Sequence, residues 1–396
     1  MINYILFDDY SRHDLLPFTF TKPICEIRIG ILTIKEKWEK YLNAPVSFQT
    51  QEYLSEKYAK ILSSENVYIN GKICPNDFLI NEIAQLNLNT SIKAGNDLIA
   101  FKTSSQDAFD SEKELKVATE VEKKYISVKQ PWDIFSKNGE ALKQDFEFLT
   151  KGKKSQPLST TNTVIGNAAD VFLEEGAIVE ASILNTKSGP IYIGVDAEIM
   201  EGSVVRGPFA ICEHSALKLS TKIYGPTTIG PHSKVGGEIN NSVIFGYSNK
   251  AHDGFLGNSV VGEWCNLGAD TNNSNLKNNY GNVKLYNYRK ETSVETGLQF
   301  CGLMMGDHSK CGINTMFNTG TVVGVGANIF GGNFPPTHIP SFSWGGGDDF
   351  EDYKLDKMFE TTERVYARRS MTLTEIEKNI LSYVFNLSKK DRLLNN

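Results

Sequence analysis

The sequence predicts an α/β domain at the N-terminus, followed by an all-β solenoid and C-terminal helices. Three observations predict this. An aliphatic residue recurs at every sixth position in two long blocks, the first beginning at Ile193. The residues up to 130 carry no such repeat and alternate between strand-like and helix-like patterns. Glycine outnumbers proline, 33 to 13, as a repeat with tight corners would need. The 396 residues suit two or three domains. The bounds that follow are an α/β domain at 1–130, a linker at 131–159, the solenoid at 160–335 and a C-terminal loop with capping helices at 336–396.

Composition excludes several classes. The chain is 40% hydrophobic and 22% charged, which fits a globular protein with a sizeable core. It has no run of about 18 apolar residues, so no membrane span is expected. The first residues, Met1 to Asp9, lack a basic segment and turn acidic early, unlike a secretory signal. A net charge of −6 without a basic tract argues against a nucleic-acid partner. Six scattered cysteines without a CxxC pair point to reduced thiols in a cytoplasmic protein.

Taken in order, the N-terminal part reads as a strand at 3–7, helices near 31–42 and 51–63, a strand at 67–70, a helix near 76–86 and a strand near 91–103. A linker helix fits 131–151, with Pro131-Trp132-Asp133 as its start and Ile134, Phe135, Leu142, Phe146 and Leu149 as its apolar face.

The repeat then takes over. Ile193, Ile199, Val205, Ile211, Leu217, Ile223, Ile229 and Val235 are six apart, and the register returns at Met305, Cys311, Phe317, Val323 and Ile329. Small residues follow most of them, such as Ala197, Ser203, Ser215, Ser309 and Thr315. A period of six fits neither a helix nor an alternating strand. It fits a triangular coil in which each hexad makes a short strand and a corner, so that roughly 18 residues close one turn. The aliphatic points inward, the small residue packs at the corner, and Gly or Asn takes the awkward backbone angle.

Function in a solenoid tends to sit where the repeat breaks. The break here runs from Ser248-Asn249-Lys250-Ala251-His252-Asp253-Gly254-Phe255 to Asn275, and a polar stretch leads on to Asn282-Val283-Lys284. The other histidines (13, 214, 232, 308, 338) are dispersed, although His214 and His232 are 18 apart and could stack. Pro335-Pro336 is expected to stop the coil. Residues 343–349 read as an acidic loop, followed by helices at 353–370 and 372–388. Leu373, Ile376, Ile380, Tyr383 and Val384 form the stripe that would cap the prism. Arg364, Arg368 and Arg369 read as a solvated face.

The hexads resemble those of left-handed β-helix (hexapeptide-repeat) proteins, most of them trimeric acyltransferases that bind acyl-CoA between neighbouring prisms. The break and the run Met305-Gly306-Asp307-His308 to Asn314 resemble the acetyltransferase domain of the bifunctional enzymes that make UDP-N-acetylglucosamine. That resemblance implies His252 as the catalytic base, and Asn275, Lys284, Phe255 and Glu238 as substrate contacts. Phe255 stands where the family has Tyr, and Gly281 where a second basic residue is seen. The chemistry agrees: an imidazole can free an amine's lone pair for acetyl transfer, and a lysine suits a sugar phosphate.

Arg12-His13-Asp14-Leu15-Leu16-Pro17 through Lys22-Pro23 resembles the signature of sugar-phosphate nucleotidyltransferases. The resemblance implies Arg12 and Lys22 as phosphate contacts, and Asp8 or Asp9 as ligands of Mg²⁺ if the domain is active. Asp8-Asp9-Tyr10-Ser11 replaces the family's glycines, and Asn70-Gly71-Lys72 replaces its Gly-Asp; a lysine cannot ligate that metal. The function implied is acetyl-CoA-dependent N-acetylation of glucosamine 1-phosphate by a cytoplasmic homotrimer. Transfer from a nucleoside triphosphate, UTP, would then give UDP-N-acetylglucosamine. Two other readings stay open: a nucleotidyltransferase whose solenoid only oligomerises or senses ligand, and a non-enzymatic binding scaffold.

Overall fold

The computed structural model describes residues 2–104, 109–347 and 349–393. Asp348 of the expected acidic loop lies outside them. The chain forms two compact units. One holds the residues up to Leu15, Thr21–Ile27 and Leu32–Gln130; the other holds Leu16–Phe20, Arg28–Ile31 and the chain from Pro131 on.

The first unit is built on a mixed sheet of β1 (Ile2–Phe7), β2 (Val46–Gln49), β3 (Glu65–Asn70), β4 (Thr90–Ala94), β5 (Asp97–Thr103) and β6 (Thr119–Glu120), in the order β2-β1-β3-β5-β4-β6. β1 lies parallel to both its neighbours, and its Ile5, Leu6 and Phe7 are fully buried, as a central parallel strand requires. Helix α1 (Ile34–Leu42) starts at a Thr33–Glu36 capping box and buries Trp38, whose indole N–H donates to the Ile73 carbonyl at 2.8 Å. Helix α2 (Asp77–Ala84) is capped by Asn76, and α3 (Ser111–Val117) by Asp110.

Two expectations fail here. The helix near 51–63 is only a single 3₁₀ turn at Glu52–Leu54. Leu54 alone in that turn is buried, so no apolar face supports a helix, and the Phe48 N–H instead finds Ala59 O. The strand near 91–103 is two strands, β4 and β5, joined antiparallel across Gly95-Asn96, where Gly95 takes φ +60°.

The second unit opens with α4 (Pro131–Ser136) and α5 (Asn138–Thr150), two helices where one was expected. Buried Asn138 accepts from the Gly30 N–H and donates to Thr228, and Asp145 accepts from the Ile31 N–H. A Cβ at Gly30 would stand 2.4 Å from the Asp145 carboxylate, so only glycine fits.

The coil behind these helices has three faces, with sheets of six, nine and ten strands; stacking between coils is parallel throughout. All eight aliphatics from Ile193 to Val235 are at most 2% exposed, and the second block, Met305 to Ile329, at most 5%. They form one continuous core. The corners depart from expectation. Asp196, His214, His232, Tyr247, Trp264 and His308 all hold the left-handed conformation expected of Gly or Asn. At four of these corners the rings stack in a column: His214 on His232 (4.8 Å), His232 on Tyr247 (4.7 Å), Tyr247 on Trp264 (4.2 Å).

The coil also runs past Pro335-Pro336. His338–Ile339 joins the nine-stranded sheet and Ser343–Gly346 the ten-stranded one, while Asp349–Asp352 turns back antiparallel. The prolines sit between strands, where no ladder N–H is needed. Helices α6 (Leu355–Ala367), α7 (Glu375–Leu387) and α8 (Lys389–Leu393) follow. Tyr366 of α6 packs tilted on Trp264, with ring centroids 4.2 Å apart, and extends the ring column. Arg369, just beyond α6, donates to the His232 carbonyl at 2.7 Å, so it is not merely solvated. In α7 Ile380, Leu381 and Val384 are buried, whereas Tyr383 is exposed.

Candidate functional site

The coil is shortened at one corner near His252. Below it, the corner from Leu217 to Ile223 spans the usual six positions. The next corner, Val235 to Ile239, spans only four. It turns through Gly236-Gly237, with Gly237 at φ +81°. Added Cβ atoms would stand 2.6 Å from Ala251 O at Gly236 and 2.6 Å from Gly254 O at Gly237. The corner above, Lys250 to Leu256, is full length again and carries His252. A short corner between two long ones leaves a notch. This cleft, about 430 Å³, has Gly236 and Gly237 as floor, Lys218 and Leu219 on one side, and Ala251, His252, Asp253 and Asp270 on the other.

His252 is exposed and lines this cleft, not the prism interior. The next strand, Phe255–Gly257, brings three expected contacts together. Phe255 is the register partner of Glu238, and its N–H donates to Asn272 at 2.8 Å. A Cβ at Gly257 would meet the Phe255 ring at 2.5 Å and the Asn275 amide at 2.7 Å, so both lie over that glycine. Asn275 donates to Asn258 at 2.8 Å. Lys284 lies elsewhere, in the antiparallel hairpin Lys284–Asn287 with Thr292–Glu295 that fills the insertion before Cys301. Its ammonium faces Glu295 at 3.4 Å, and the hairpin contributes nothing to the cleft lining.

One residue of the site was invisible to sequence reasoning. Lys250 is 2% exposed, and its ammonium bonds the carbonyls of His252 (2.5 Å), Asp253 (3.0 Å) and Gly236 (3.3 Å). Burial pulls its pKa down to about 8, against the opposing pull of Asp253, Cys311 and Asp270. The available signals were a lysine in the aliphatic register and the shortened step after Val235.

In the first unit, the expected phosphate and metal residues face inward. Arg12 is 3% exposed; its guanidinium bonds Asp8 (2.7 Å), Lys22 O (3.0 Å) and the Tyr53 hydroxyl (3.2 Å). Lys22 is buried as well. Asp8 also accepts from Thr50 and the Ile24 N–H. Asp9 accepts from Lys72 (2.6 Å) and Asn70 (3.0 Å), and Lys72 reaches Asp97 at 2.9 Å. Burial pushes the Asp9 carboxyl up, but Lys72, Ser11 and Asn70 outweigh it and hold it below the usual range. These residues do not fit a divalent metal: Asp8 is already paired with Arg12 and Asp9 with Lys72, and among the described residues no group of three His, Cys, Asp or Glu could hold an ion.

The fold thus comprises a mixed-sheet α/β unit and a three-sided β-helix. A family model described as "Sugar nucleotidyl transferase" matches residues 4–154. The chain is 32% identical over 146 residues to a "Bifunctional sugar-1-phosphate nucleotidylyltransferase/acetyltransferase" of Sulfurisphaera tokodaii, covering 36% of each chain. It is 33% identical over 197 residues to a "Bifunctional protein GlmU" of Methanocaldococcus jannaschii, covering 50% of this chain and 41% of that one. A protein of the same name from Methanococcus aeolicus is 30% identical over 203 residues, 50% of this chain and 42% of that one. The chain thus spans less than half the length of each of these relatives, and the similarity covers half of this chain or less. Among the described residues no helix is long and apolar enough to cross a membrane.

Proposed function

We propose that this protein transfers an acetyl group from acetyl-CoA to the amine of glucosamine 1-phosphate, with His252 as general base. The supporting observation is the exposed imidazole on the notch made by Gly236-Gly237. The imidazole accepts a proton from the amine as its nitrogen attacks the thioester carbonyl. The C–S bond then breaks, and the CoA sulfur leaves with that proton. Asn275, Phe255 and Glu238 are the acceptor contacts in this reading, carried by the motif, since none of them is among the residues lining the notch; Lys284 stands in its hairpin away from it. The assembly we infer is a cytoplasmic homotrimer, consistent with exposed Ile183, Val204 and Tyr224 on the six-stranded face; light scattering tests it.

The family match over residues 4–154 favours a second activity in the first unit, uridylyl transfer from UTP to the acetylated sugar phosphate. No step is assigned to it, because the carboxylates expected to hold Mg²⁺ are already paired. Thiol release with acetyl-CoA and glucosamine 1-phosphate, beside pyrophosphate release with UTP with and without Mg²⁺, separates the two activities. Absence of both would leave a binding scaffold.

A further inference from the structure

We propose that Lys250 is the positioning residue of the His252 site: its ammonium, held inside the coil, fixes the turn that presents the imidazole. The inference rests on His252 acting as the base. Lys250 occupies a core position. It is the register partner of Val235 on the ten-stranded sheet, and Leu217, Val235 and Leu267 of the same face are buried aliphatics. An aliphatic would fill that volume without desolvating a charge. What the lysine adds is three N–H donors for three carbonyls, those of Gly236, His252 and Asp253. All three residues line the cleft. One group therefore joins the floor of the notch to the wall that bears the imidazole.

A neutral amine has only two N–H donors and would turn a lone pair on the remaining carbonyl. The turn is therefore tightest while Lys250 is charged. The titratable groups facing it are the Asp253 and Asp270 carboxylates and the buried Cys311 thiol. Burial lowers the pKa of Lys250 to about 8, against those three, so the tether weakens above neutrality.

The test is Lys250→Met in the full chain, which keeps the volume and removes the donors. Thiol release should fall by about 10–100-fold in kcat with KM for acetyl-CoA unchanged, as misplacement of a catalytic group predicts. Independently, the ¹³C-labelled Cε1 resonance of His252, assigned by its loss in His252→Gln, should show a second inflection near pH 8 in the wild type, and Lys250→Met should lack it. Wild-type kcat in Lys250→Met, or a His252 curve identical in both proteins, overturns the proposal. If Lys250→Met does not fold, the wild-type curve decides, and a single inflection is the overturning result. If the wild type releases no thiol, the acetyl-transfer reading fails, and the resonance still decides the role of Lys250.

Discussion

Lys72 bonds two carboxylates and Lys250 three carbonyls, and the two lysines respond to pH in opposite senses. Burial opposes the charge of Lys72, but Asp9 and Asp97 outweigh it and raise its pKa, so its contribution is present below 10.5 and fades above that. Asp9 and Asp97 are depressed, so theirs is present above 3.8 and fades as pH falls below it. Lys250 is depressed to about 8, so its charged form opposes folding at neutral pH, and stability from this group rises as pH climbs from about 8 towards 10.5. Lys72→Met leaves Asp9 without a cation, while Asp97 keeps Lys129 at 2.7 Å, and should cost about 3 kcal/mol in urea unfolding at pH 7. The deficit should narrow in acid; a deficit constant with pH would contradict the pairing. Titration of the wild type with Mn²⁺ should reveal no binding that Asp9→Asn removes.

At the scale of elements, the notch depends on a corner that only glycine can turn. Gly237→Ala puts a Cβ 2.6 Å from Gly254 O at φ +81°, and should cost about 1–3 kcal/mol and slow thiol release. A thermal melt matching the wild type would show that the corner adapts. Removing the Thr374 capping box of α7 by Thr374→Ala should cost about 0.5–2 kcal/mol without affecting turnover. The coil was legible because its core admits one kind of side chain at one spacing, as Ile193 to Val235 show. The α/β part was less so: residues 51–63 have helical composition but no buried face, and Gly95-Asn96 divides what reads as one strand. In the candidate site, the motif singled out His252, which lies on the notch, and also Phe255 and Asn275, which are not among the residues lining it. Lys250 was not singled out, because its role lies in carbonyls that sequence does not display.

At the scale of the molecule, every residue lining the cleft falls between Met200 and Asp270, within the unit that contains the coil. The charge network of Asp8, Asp9, Arg12, Lys72 and Asp97 falls within the other. Asp9→Asn should therefore leave acetyl transfer at the wild-type rate, as a thiol-release assay would show. The most direct test of the whole account compares thiol release from acetyl-CoA in the presence of glucosamine 1-phosphate by the wild type and by His252→Ala, with circular dichroism to show that both are folded. The account predicts turnover by the wild type and a loss of about 10²–10⁴-fold in the variant. Equal rates in two folded proteins would contradict it.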